Sequence, residues 1–164
     1  MLASIVLMLT PMAKADDKPG GWPELFPELK NFSRKVDAPK VEKGDKPAVY
    51  SQATTYEWLG GRFEVLTITL ARDAGFKEKY SAEAMKKEKA EKIEVNKKTA
   101  YLTDRMKADE LEKVNRRLIV LLADDKILMI EQRGGGLELA DVAKKLDFDK
   151  VIKALDNPPP AKPK

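Results

Sequence analysis

The stretch from Arg116 to Leu155, RRLIVLLADDKILMIEQRGGGLELADVAKKLDFDKVIKAL, constrains the fold more than any other part of the chain. Two apolar runs flank Asp124-Asp125, and Asp tolerates the backbone angles of a two-residue turn. With those two at the turn centre, Leu122 is set opposite Ile127, Val120 opposite Met129 and Leu118 opposite Glu131. The reverse face then joins Leu121 to Leu128 and Ile119 to Ile130. Side chains alternate across a strand, so both faces of this hairpin are apolar. A hairpin with one wet face would alternate apolar and polar residues. This one is expected in the middle of a sheet, covered on both sides.

The C-terminal segment supplies one cover. Leu139, Val142, Ala143 and Leu146 recur at helical spacing, as do Phe148, Val151, Ile152 and Leu155. Asp147 is placed to cap the second helix, and Asn157 with Pro158-Pro159-Pro160 ends it. Gly134-Gly135-Gly136 leads into the first helix. It lacks the Lys-Ser/Thr of a phosphate loop and the spacing of a dinucleotide fingerprint, and reads as a connection between sheet and helix.

Upstream, the spacing predicts two further hairpins. Val49 to Trp58 and Arg62 to Ala71 flank Gly60-Gly61, and Trp58 is then expected opposite Phe63, Tyr56 opposite Val65 and Thr54 opposite Thr67. That register puts Leu66, Ile68 and Leu70 on one face and an aromatic and hydroxyl stripe on the other. Ile93 to Val95 and Thr99 to Thr103 flank Asn96-Lys97-Lys98 as a short third hairpin. Between them lies a charge-dense helix with Ser81 at its cap and a thin apolar face of Ala82, Ala84, Met85 and Ala90. The fold class expected is α+β: a mostly antiparallel sheet of about six strands, two C-terminal helices on one face and a surface helix between hairpins.

Residues 1–15, MLASIVLMLTPMAKA, have an apolar run followed by Ala13-Lys14-Ala15, the small-x-small pattern of a cleaved signal peptide, although no Lys or Arg precedes the run. The run is too short to span a bilayer. Periplasmic or secreted localisation in a bacterial setting is the expectation, with no transmembrane segment after cleavage. Residues 16–46 form a Pro-, Gly- and Lys-rich arm carrying Trp22, Leu25, Phe26, Leu29 and Phe32, which is expected to fold back over the sheet. The part from Arg34 to Lys46 reads as a linker. Residues 47–156 then form one domain, and residues 157–164 a Pro- and Lys-rich tail expected to be disordered.

Composition removes much of the catalytic repertoire. The chain has no Cys and no His. Thiol nucleophiles, Ser-His-Asp triads, imidazole bases and zinc sites of the usual donors are therefore unavailable, as are disulfides. No metal or cofactor is expected. The 31 basic residues are interleaved with 27 acidic ones, unlike the basic stripe of a nucleic-acid binder. The best recognition candidate is the stripe Tyr50, Tyr56, Trp58 and Phe63 with Thr54 and Thr67, whose flat rings and hydroxyls suit a protein, peptide or glycan of the cell envelope. Packing beneath the arm or a second copy, as in a homodimer, is the competing use. The functional expectation is an exported non-enzymatic binding or protein-interaction domain. A small secreted enzyme using carboxylate or Tyr chemistry, or a purely structural envelope protein, is the alternative.

Overall fold

The computed structural model describes residues 22–42, 49–60, 63–73, 75–104 and 114–158. The signal-like residues 1–15, the Gly61 half of the expected Gly60-Gly61 turn, most of the polar segment after Asp104 and the tail beyond residue 158 lie outside these.

Eight strands form one antiparallel sheet: β1 (Phe32–Val36), β2 (Lys40–Glu42), β3 (Val49–Trp58), β4 (Glu64–Arg72), β5 (Glu91–Val95), β6 (Lys98–Asp104), β7 (Val114–Ala123) and β8 (Lys126–Gly134). The order across the sheet is β1-β3-β4-β8-β7-β6-β5, with β2 sharing the outer edge of β3 with β1. Eight strands therefore occupy seven positions, where about six strands were expected. The additional two come from the segment read as arm and linker. Phe32 pairs with Trp58 and Val36 with Thr54, and Val41 pairs with Tyr50.

The double-sided hairpin β7–β8 is central, as its apolar faces require. Ala123 pairs with Lys126 around the Asp124-Asp125 turn, but a bulge between Leu121 and Ala123 shifts the rest by one residue. Val120 thus faces Leu128 and Leu118 faces Ile130, in place of Met129 and Glu131. An extra residue in one strand moves every later pairing, and no feature of the sequence marks it. Both faces remain apolar.

Hairpin β3–β4 is also shifted by one. Tyr56 pairs with Leu66, Thr54 with Ile68 and Thr55 with Thr67, because the connecting loop is longer than a Gly60-Gly61 turn. A one-residue slip exchanges faces along a whole strand. The consequence is that Tyr50, Tyr56 and Trp58 share a face with Leu66, Ile68 and Leu70, in place of opposing them. Hairpin β5–β6 turns at Asn96-Lys97, with φ of 48° and 63°.

Among the described residues four short α-helices accompany the sheet: α1 (Phe76–Lys79) and α2 (Ala82–Lys87) between β4 and β5, and α3 (Leu139–Ala143) and α4 (Phe148–Asp156) after β8. The caps act where expected. Ser81 accepts from Ala84 N–H, and Asp147 accepts from Lys150 N–H. Helices α3 and α4 lie across β4, β7 and β8 on the first face, burying Leu139, Val142, Leu146, Val151 and Leu155. The remainder of that face is covered by Trp22, Phe26 and Leu29, of which Trp22 precedes and the other two follow a 3-10 turn at Pro23–Leu25. The second face is covered over β6, β7 and β8 by α1 and α2. Their Phe76 and Met85, 5% and 1% exposed, pack with Tyr101, Ile119 and Ile127. The helix expected at the surface keeps Ala82, Glu83, Lys86 and Lys87 exposed, and its thin apolar face enters the second core through Met85. Over β3 and β4 the second face carries Ser51, Ala53, Thr55, Thr67 and Thr69, all short and half-buried.

Candidate functional site

The six residues singled out from the sequence do not form one surface. Tyr50, Thr54 and Tyr56 are buried on the first face. Trp22 packs on Tyr50 with ring centroids 4.7 Å apart, and Phe32 meets Trp58 edge-on at 5.0 Å. The Tyr56 hydroxyl donates to the Pro27 carbonyl at 2.6 Å, and Arg34 donates to the Phe26 carbonyl. Gln52, between the tyrosines, accepts from Trp22 N–H and donates to the Asp37 carbonyl. Burial pushes the hydroxyls of Tyr50 and Tyr56 up to about 12, with Arg34 opposing it at Tyr56. Thr67 lies on the opposite face beside Thr55 and Glu131, and Phe63 is exposed in the β3–β4 loop.

Two polar clusters hold the ends of the sheet. At the β8 end, Glu64 Oε1 accepts from Gln132 Nε2 at 2.9 Å and from Leu137 N–H at 3.2 Å. Arg116 Nη1 donates to the Leu137 carbonyl at 3.0 Å, and its Nε lies 3.2 Å from Asp104, an ion-pair distance without hydrogen-bond alignment. Both backbone groups of Leu137 are thus held, which fixes the exit of the triple-glycine connection. Gly134 has φ +79°, and any Cβ there would collide with the Phe63 carbonyl. At the other end, Asp125 binds Arg72 at 2.6 Å and Lys126 at 2.9 Å, while Lys126 also reaches Asp156 at 2.8 Å. Burial pushes Asp125 up, but the hydrogen bonds from Lys126 and Arg72 outweigh it and hold the carboxyl below its usual value. These groups are directed at their own chain. Their task is to join strand ends to helix ends.

A different surface is open. A shallow groove of about 380 Å³ lies on the second face where α1 and α2 meet β6 and β7. Phe76, Tyr80, Tyr101 and Leu121 form its floor and walls, with Ser81 and Asp124 as its polar members. Phe76 and Tyr80, four apart, pack with centroids 5.5 Å apart across α1. Burial raises the Tyr80 hydroxyl above its ordinary value, so the phenolate a base would need is disfavoured. Sequence reasoning missed this groove. The available signal was the Phe76/Tyr80 spacing, but the partner Tyr101 arrives from another hairpin.

Among the described residues, no group of three or more acidic side chains is placed to hold a metal ion, and no helix is long and apolar enough to cross a membrane. No family model matches the chain, no curated protein matches it, and no solved structure matches it.

Proposed function

We propose that the chain is an exported, non-enzymatic binding or protein-interaction domain that takes its ligand in the Phe76–Tyr80–Tyr101–Leu121 groove. The observation carrying this reading is the groove's character: aromatic and aliphatic walls, the Ser81 hydroxyl and the Asp124 carboxylate beside them, and open to solvent. Recognition surfaces combine apolar walls with a few polar groups in this way. The aromatic stripe of β3 does not serve, since Trp22, Phe26 and Phe32 already cover it. The titratable clusters at the sheet ends are engaged in holding the fold. A periplasmic or secreted location follows from the signal-like residues 1–15, and the ligand class is an apolar segment of a protein or peptide.

Random-peptide display on the folded protein, followed by amide chemical-shift mapping of the tightest peptide, tests the reading. Shifts should centre on Tyr80, Ser81, Tyr101 and Leu121, and disappear in Ala82→Arg, which obstructs the groove from an exposed position. A peptide that maps elsewhere, or no saturable peptide at all, overturns it.

A further inference from the structure

The exposed large apolar side chains among the described residues are Leu59, 70% exposed, and Phe63, 46% exposed. Both belong to the loop between β3 and β4. The base of that loop is firmly held. Leu59 N–H donates to the Asn31 carbonyl at 2.9 Å, and Trp58 is wedged between Phe32 and Gly60. Two apolar side chains are therefore presented to solvent from an anchored support.

Strand β4 runs from this tip to the groove: it begins at Glu64, next to Phe63, and ends at Arg72, four residues before Phe76. Its nine residues place the tip and the groove about 30 Å apart, at opposite ends of the sheet. The same copy cannot fill its own groove with its own tip.

We infer that copies of this chain associate head to tail, with Leu59 and Phe63 of one copy entering the groove of the next. The inference rests on the reading of that groove as a binding surface and names a second copy as its occupant. A space of about 380 Å³ admits a Leu and a Phe side chain together. The charges are opposite in sign: Lys30 is exposed beside the tip, next to Asn31, and Asp124 lines the groove. Such a contact buries far less than the roughly 1,200 Å² of a stable interface, so association is weak, on the order of 100 µM. The contact does not close on itself. Each added copy leaves a tip and a groove for the next, and assembly grows with concentration.

Sedimentation velocity across concentrations from about 10 µM to about 1 mM brackets that affinity. The wild type should show a rising average mass. Leu59→Ser with Phe63→Ser removes the tip, and Ala82→Arg blocks the groove. All three positions are exposed, so both variants should keep the wild-type melting temperature and sediment as monomers. An equimolar mixture of the two should recover one heterodimer and stop there, since one supplies an intact groove and the other an intact tip. A wild type that stays monomeric throughout, association indifferent to either variant, or a mixture without a heterodimer overturns the inference. Wild-type protein that instead co-sediments with phosphatidylglycerol vesicles through Leu59 and Phe63 also overturns it, in favour of a lipid surface. A monomeric wild type whose selected peptide still shifts Tyr80 leaves the groove reading standing and removes only the self-association.

Discussion

At the residue scale, backbone conformation separates glycines that are required from residues that are merely tolerated. Gly134 combines a φ of +79° with the close approach of the Phe63 carbonyl. Gly134→Ala should cost at least about 2 kcal/mol, from the left-handed conformation and the collision together. Urea unfolding checks it, and a loss under half of that would mean the loop relaxes. Lys97 shows the reverse case. It adopts φ 63° in a turn that favours glycine at that position. Lys97→Gly should stabilise by about 0.5–1 kcal/mol, the strain relieved less the added freedom of the unfolded chain. An unchanged or lower midpoint in the same experiment would count against a strained turn. The turn was legible in the sequence as Asn96-Lys97-Lys98, one residue longer than it is, since Lys98 already pairs with Val95. Its two positive φ values were not, since Lys is an unusual occupant.

At the element scale, the apolar periodicities translated directly into packing. Helix α4 buries Val151 and Leu155, and Asp147 caps it as the pattern required. Burial is uneven along its apolar face. Val120 on β7 is wholly buried, whereas Ile152 on α4 is only partly buried. Val120→Asp should therefore cost roughly 4 kcal/mol or more and unfold the chain, while Ile152→Asp should cost about 1–2 kcal/mol and leave a cooperative melt. Equal losses in calorimetry would refute this ranking. The segment 22–42 is the element the sequence described least well. Trp22, Phe26 and Leu29 fold back over the sheet as expected, but the part read as a linker from Arg34 onward supplies most of β1 and all of β2, because β3 offers an unpaired edge. A chain beginning at Asp45 should aggregate or self-associate, because Tyr50, Tyr56 and Trp58 lose their cover and β3 loses β1 and β2 from its outer edge. A shortened chain that remains a stable monomer would show the cover to be dispensable.

At the scale of the whole molecule, the absence of His leaves no side chain of ordinary value to titrate near neutrality. Stability should be flat from about pH 5 to 9, with losses at both ends. Tyr50 and Tyr56, raised by burial from 10.0 to about 12, favour the neutral form in the fold. Their contribution is whole below pH 10 and is lost as pH rises towards 12. Asp73, lowered chiefly by the Lys79 hydrogen bond, and Asp125 act in the opposite sense. Their contribution is whole above the ordinary carboxyl value of 3.8 and is lost as pH falls through the lower folded value. Thermal melts against pH, with tyrosinate absorbance on the alkaline side, should show unfolding coincide with late tyrosine ionisation. Tyrosines that all ionise near 10 in a folded chain would contradict the burial of Tyr50 and Tyr56.

The sequence by itself determined the α+β class, the two-sided central hairpin, the α3–α4 pair with its cap, and the chemistry closed to a chain without His or Cys. These follow from local periodicity and composition, which each segment carries alone. Tertiary structure decided the registers, the covers of the two faces and the position of the groove. A bulge at Leu122 and a longer β3–β4 loop each shift a strand by one residue, and such a slip changes no local preference while exchanging every face. The groove needs Phe76 from a helix, Tyr80 from its C-cap, and Tyr101 and Leu121 from two strands. Surfaces assembled from separate elements exist only once the sheet order has brought those elements together.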